Sequence, residues 1–64
     1  MTPADFTSWR KHRGLTRAAA ARALGVAPNT VTAYEKGRTR IPLYIALACM
    51  ALAAGLPPWP ASKL

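Results

Sequence analysis

Acidic side chains are almost missing from this chain: Asp5 and Glu35 are the only two among 64 residues. Cysteine and histidine occur once each, as Cys49 and His12. A single cysteine excludes an internal disulfide and accords with a reduced, cytoplasmic setting. One histidine, one cysteine and two acids form no group with metal-ligand spacing, so a zinc site or a metal-dependent enzyme has nothing to be built from. Acid–base catalysis at Glu35 would need a second group that the sequence does not supply. No enzyme, no metal and no cofactor are therefore expected. Long apolar runs are scarce as well. The only extended one covers residues 41–56, short of the roughly 20 residues that span a bilayer, and the N-terminus is too polar for a targeting signal. Ser62-Lys63-Leu64 has the form of a peroxisomal address, but so short a match is cheap, and chance or a cloning remnant is the simpler reading.

What the chain does have is positive charge. Nine Lys and Arg give a net charge of +7, and eight of the nine fall between residues 10 and 40. So concentrated a field favours a polyanion as partner. A membrane-surface peptide would set cations and apolar residues on opposite faces of one helix, whereas here they fall on different helices. Sixty-four residues allow one domain with a small core, so no separate ligand domain and no small-molecule ligand are expected.

The organising stretch is 15–37, LTRAAAARALGVAPNTVTAYEKG. Thr16 can cap a helix that runs through the alanines to Leu24, where Gly25 supplies a left-handed stop. Pro28 fits the first position of the next helix, because its missing N–H would have been unsatisfied there anyway. That helix is predicted over 28–36, with Gly37 as its stop. Leu24-Gly25-Val26 is too tight a break for anything but an angled helix pair. Ala21, Gly25 and Val31 fall where such a corner needs a small contact, a turn and a branched filler. Ahead of it, Thr2-Pro3-Ala4-Asp5 reads as a capping box for a helix over 3–13, with Phe6 and Trp9 on one face. Trp9 could stack on a base, but its spacing suits core filling. A last helix is predicted over 42–54, starting at Pro42 and stopping at Gly55.

Together, Leu15-Thr16, Leu24-Gly25-Val26, Thr30-Val31, Tyr34-Glu35-x-Gly37 and the following Pro42 stand in the order of the Cro/C1-type (Xre-like) helix-turn-helix regulators, which this chain resembles over roughly residues 6–56. The resemblance implies an all-α, lambda-repressor-like bundle of four or five short helices, with a DNA-binding domain over residues 1–56 and a Pro-rich tail over 57–64. It also implies that Glu35 pairs with a first-helix arginine, and Arg10 matches that place. The sequence departs from the family in one respect: Arg17 and Pro28 open the two helices where the family often has polar residues such as glutamine.

Placed in a major groove, the helix over 28–36 would turn Asn29, Thr30, Thr32 and Ala33 outward, since Val31 and Tyr34 share an apolar face. Asn29 offers adenine a donor and an acceptor, and the methyl of Thr30 or Ala33 can meet that of thymine. The bland alternatives are a local cap for Asn29 and a solvated hydroxyl for Thr32. Arg17 stands at a helix N-terminus, where free N–H groups favour a phosphate. Lys36, Arg38 and Arg40 follow the recognition helix as further phosphate contacts. Arg22 reads equally as a contact or a solvated charge.

No charge occurs between residues 43 and 54. On a helical wheel Leu43, Tyr44, Leu47, Met50, Ala51 and Ala54 form one stripe, and Ile45, Ala48, Cys49 and Leu52 another nearly opposite. A helix apolar all round must be covered on both sides. A second copy is the expected cover, through Ile45, Cys49, Leu52 and Trp59. The expected whole is a homodimeric autorepressor on an inverted-repeat operator in double-stranded DNA, of the kind found among short phage or anti-CRISPR-associated (Aca-type) regulators. The alternative is a protein-interaction module, an antitoxin or inhibitor, that uses the apolar last helix.

Overall fold

Four local signals start the helices and four glycines end them. In the computed structural model, which describes residues 1–59, the elements are α1 (Pro3–His12), α2 (Arg17–Leu24), α3 (Pro28–Glu35) and α4 (Leu43–Ala53), with no strand among the described residues. The Ser62-Lys63-Leu64 ending and the last part of the Pro-rich tail lie outside the described residues. Thr2 accepts from the Asp5 N–H at 3.1 Å while the Asp5 carboxylate accepts from the Thr2 N–H at 2.9 Å. This closed box holds the Asp5 carboxyl below its ordinary range, through the backbone and then the side-chain hydrogen bond of Thr2. Thr16 caps α2 by accepting from the Ala19 N–H at 3.1 Å. Pro28 opens α3 behind Ala27.

Pro42 behaves differently from the expectation that it is the first helical residue. Its backbone is extended, with ψ 156°, and its carbonyl accepts from the N–H groups of Ile45 and Ala46. It is therefore the cap of α4, and the helix starts one residue later. At the other ends, each glycine takes a positive φ. Gly37 shows the consequence: at φ 71° its N–H reaches the Tyr34 carbonyl and the next N–H, of Arg38, reaches Ala33 at 2.9 Å. This double bond pattern satisfies carbonyls that the end of α3 would otherwise leave open.

The core is small and drawn from all four helices. Phe6, Ala21, Val31, Tyr34, Ile41, Ile45 and Cys49 are buried together, with Trp9, Leu24 and Val26 packed against them. Phe6 sits between two aromatic rings, Trp9 at 5.4 Å and Tyr34 at 5.6 Å between centroids, both tilted as ring quadrupoles prefer. Trp9 is thus a core residue. Its indole N–H donates to the Cys49 carbonyl at 3.0 Å, which joins α1 to α4.

That bond bears on the one substantial correction to the sequence reading. Ile45 and Cys49 were expected on a subunit interface, but both are only 2% exposed within the chain's own core, and Leu52 is half-buried. The opposite stripe faces out, with Leu43 75%, Tyr44 68%, Leu47 62% and Met50 70% exposed. The physical reason lies in the fit. Short or branched side chains suit the shallow space beside the alanines of α2, whereas turning the other stripe inward would bury the Tyr44 hydroxyl and require a partner for it. Burial also pushes the Cys49 thiol up to about 11, so it is an unreactive interior group. Among the described residues no helix is long and apolar enough to cross a membrane.

Among the described residues, charge enters this interior at one place. The Glu35 side chain is 3% exposed, and Arg10 reaches it from α1 through Nε to Oε2 at 2.5 Å and Nη2 to Oε1 at 3.3 Å. Burial alone would raise the Glu35 carboxyl, but the hydrogen bonds and charges of its arginine partners outweigh burial and hold it below the usual carboxylate range.

These contacts make the stability testable at two points. Ile45→Ala removes a buried side chain from the core and should lower unfolding free energy by about 2–5 kcal/mol in a urea melt; a loss typical of an exposed site, under about 0.5 kcal/mol, would contradict the inward stripe. A carboxyl held low in the folded state contributes stability that is present above its unfolded value, here 4.5, and lost as pH falls through the folded value. Stability measured from pH 7 downward should therefore decline below about 4.5, and Glu35→Gln should flatten that decline while costing about 3–5 kcal/mol at neutral pH. An unchanged acid limb in the variant would show that Glu35 is not the titrating group.

Candidate nucleic-acid interface

The corner between α2 and α3 is set by side chains too small to hold the helices apart. Ala20 and Ala21 are 0% and 1% exposed, and alanine lets neighbouring backbones approach while favouring the helix itself. At Gly25, φ 72° turns the chain so that the Val26 N–H reaches the Ala21 carbonyl at 3.0 Å. Val31 and Tyr34 then anchor α3 from inside, both buried. The remaining face of α3 is fixed by that anchoring.

Asn29 lies exposed on this free face, and Thr30, Thr32 and Ala33 are half-buried there. Because Ala27 is the N-cap and Pro28 the first helical residue, Asn29 occupies the second helical position and is not a cap. Its amide is free to point away from the protein. Thr32, placed in the outward set with a solvated hydroxyl as the alternative, has its hydroxyl turned back on the helix: Oγ1 donates to the Pro28 carbonyl one turn back at 3.4 Å. The Thr32 methyl is then its more available group.

Among the described residues the exposed cations lie on or at the end of α1, on α2 and in the segment after α3. Lys36, Arg38 and Arg40 are exposed in the segment that follows α3, with Thr39 between the last two. The Arg38 N–H bond to Ala33 ties the start of this segment to the helix it follows. Arg22 is exposed on α2, and Lys11, His12 and Arg13 at the end of α1.

Arg17, expected to meet a phosphate, has a protein partner that the sequence did not announce. Its Nε donates to Glu35 Oε1 at 3.1 Å, although its side chain remains 48% exposed. Glu35 therefore serves two arginines, one from α1 and one from the start of α2. Arg10 is fully engaged, since its Nη1 also donates to the Leu15 carbonyl at 2.9 Å and its side chain is 13% exposed. Nothing local signals the second pairing, because 18 residues and the whole corner separate Arg17 from Glu35. The other residues assigned to sites divide clearly: Arg10, Arg17 and Glu35 are brought together, Ile45 and Cys49 are withdrawn into the core, and Trp59 is left 93% exposed.

This arrangement of two short helices around a glycine corner, with one exposed helix face and flanking cations, has known counterparts. A family model described as a helix-turn-helix domain matches residues 5–59. Among solved structures, the crystal structure of a candidate DNA-binding protein from Nitrosomonas europaea superposes with a TM-score of 0.83 at 31% sequence identity. The likeness covers 91% of this chain and 37% of that one, so this chain spans well under two thirds of that protein's length. No curated protein matches the chain significantly. With the family model spanning nearly all of the described residues, the chain belongs to the helix-turn-helix domain family.

Proposed function

We propose that this chain is a sequence-specific, double-stranded-DNA-binding transcriptional regulator that inserts α3 into the major groove. The observation that carries this reading is the exposed Asn29 face of α3 together with exposed Arg17 at the start of α2 and exposed Lys36, Arg38 and Arg40 in the segment that follows α3. An α-helix fits the major groove, and its N-terminal residues come nearest the base edges. Asn29 is placed to give adenine a paired donor and acceptor, while Thr30, Thr32 and Ala33 offer methyl groups to thymine. The surrounding cations neutralise phosphates and carry no sequence information themselves. The description of the Nitrosomonas protein as DNA-binding supports the same reading.

More finely, we read the chain as a homodimeric autorepressor of the Cro/C1 type that acts on an inverted repeat, like the short phage and anti-CRISPR-associated regulators. One module makes few base contacts, and two-fold pairing doubles them and fixes the half-sites about one helical turn apart. The interface is the outward stripe of α4, Leu43, Tyr44, Leu47 and Met50, together with Trp59, in place of the inward Ile45 and Cys49. Two copies of a +7 chain repel each other, and this charge-free stripe is where they meet at least electrostatic cost. Full burial of each large side chain is worth about 1.5–3 kcal/mol. The same exposed stripe also favours a second reading, a protein-interaction module whose partner covers α4. In that case the chain's effect would survive loss of Asn29 and Arg38.

Two measurements separate these readings. On an operator selected from random duplexes, Asn29→Ala should cost about 1–3 kcal/mol and far less on unselected DNA; equal losses on both would make Asn29 a backbone contact. Leu47→Arg, at an exposed position, should leave the fold intact and turn a dimer into a monomer in sedimentation equilibrium. A wild-type chain that stays monomeric at high micromolar concentration would remove the dimer, and a Leu47→Arg variant that still pairs would remove this stripe from it.

A further inference from the structure

Glu35 does more than close the interior. Its two oxygens divide between two arginines whose remaining nitrogens have different fates. Arg10 spends Nε and Nη2 on Glu35 and Nη1 on the Leu15 carbonyl, and it is nearly buried. Arg17 gives Glu35 only its Nε, at 3.1 Å, and is half exposed. A guanidinium has a side edge that includes Nε and an end edge formed by the two terminal nitrogens, and each edge matches the paired oxygens of a carboxylate or phosphate. Held by the side edge, Arg17 has its end edge turned away from the carboxylate.

We propose that Glu35 is a positioning residue for phosphate binding: it fixes the Arg17 guanidinium by Nε so that the two terminal nitrogens are presented together to one phosphate of the DNA backbone. The proposal rests on the DNA-binding reading above and adds to it a role for a buried acid that touches no DNA. Three physical consequences favour the arrangement. A free arginine on the surface loses much side-chain freedom on docking, and one already held by a rigid partner loses less. Glu35 is itself held by Arg10, so the anchor does not move when a phosphate arrives. The negative charge of Glu35 is matched by Arg10, which leaves the charge of Arg17 uncancelled and available to a phosphate.

Arginine specifically is required. Lysine supplies the same charge as a point, with no second edge for Glu35 to hold while the first meets the phosphate. The experiment is a salt titration of binding to a random-sequence 30-base-pair duplex by fluorescence anisotropy, with the full chain and its variants Arg17→Ala, Arg17→Lys and Arg38→Ala, each also melted thermally. Arg17→Ala should fold, since Arg10 still satisfies Glu35, and should lower the log–log salt slope by about one. Arg17→Lys should keep the wild-type slope but bind about three- to tenfold more weakly, since its charge is retained and its orientation lost. In a Glu35→Gln background that folds, the difference between Arg and Lys at position 17 should disappear; if that variant does not fold, the Arg17→Lys comparison decides. An Arg17→Ala variant that melts lower with an unchanged slope would make Arg17 purely structural and overturn the proposal. So would Arg17→Lys binding as tightly as wild type, or an Arg–Lys difference that persists in the Glu35→Gln background. If wild type binds in a salt-dependent way and Arg38→Ala lowers the slope by about one while Arg17 is silent, only this role fails; a wild type with no salt-dependent binding removes the DNA reading itself.

Discussion

The carboxylate of Glu35 is the constraint on which the rest of the molecule depends. It is buried to 3% exposure in a chain with only one other acid and a net charge of +7. Taking a carboxylate out of water costs several kcal/mol unless charged donors meet it there, so the end of α3 has one acceptable place, within reach of Arg10 and Arg17. That place sets the tilt of α3 against α1. The aromatic contact of Phe6 with Tyr34, the residue before Glu35, repeats the same alignment in apolar form. A buried ion pair adds little net stability over a well-packed apolar substitute. Its contribution here is definition: it admits one register for α3, and thereby one outward face.

Much of this was legible because it is local. The Thr2–Asp5 box, the Thr16 cap, Pro28 at the head of α3 and the glycine stops each depend on residues within one turn, and hydrogen bonds found at those ends are the ones such residues make. The partition of α3 into Val31 and Tyr34 inside and Asn29 outside was legible from spacing alone. The Arg10–Glu35 pair was legible only through resemblance to a family. The second arginine on Glu35 was not legible at all, because it follows from the angle between α2 and α3, and no spacing in the sequence relates Arg17 to a residue 18 positions on across that corner.

The orientation of α4 shows a different kind of limit. Periodicity identifies two opposite apolar stripes with equal clarity, and hydrophobicity does not rank them. The choice between them rests on polar atoms that the periodic pattern ignores: the Trp9 indole N–H, which finds the Cys49 carbonyl 40 residues away, and the Tyr44 hydroxyl, which stays in water. In a helix without charge, the few hydrogen-bonding groups around it decide the rotation. The size of the side chains agrees, since Ile45 and Cys49 fill a space that the alanine face of α2 keeps narrow.

That narrowness also bears on why α4 keeps an apolar outer face. Alanines at the α2–α3 corner bring the backbones close, but each buries little area, so the largest fully buried side chains are just Phe6, Ile45, Val31 and Cys49. A small domain has little surface to bury in any case. Single exposed apolar residues are ordinary on protein surfaces and call for no explanation. Four large ones along one face of a charge-free helix are a contiguous patch, and patches of that kind mark places of association. Among the described residues the cations lie elsewhere, on or at the end of α1, on α2 and in the segment after α3. With charge and apolar surface on different elements, a contact at either would not have to compromise the other, and the Glu35 network draws its two arginines from the cationic helices α1 and α2.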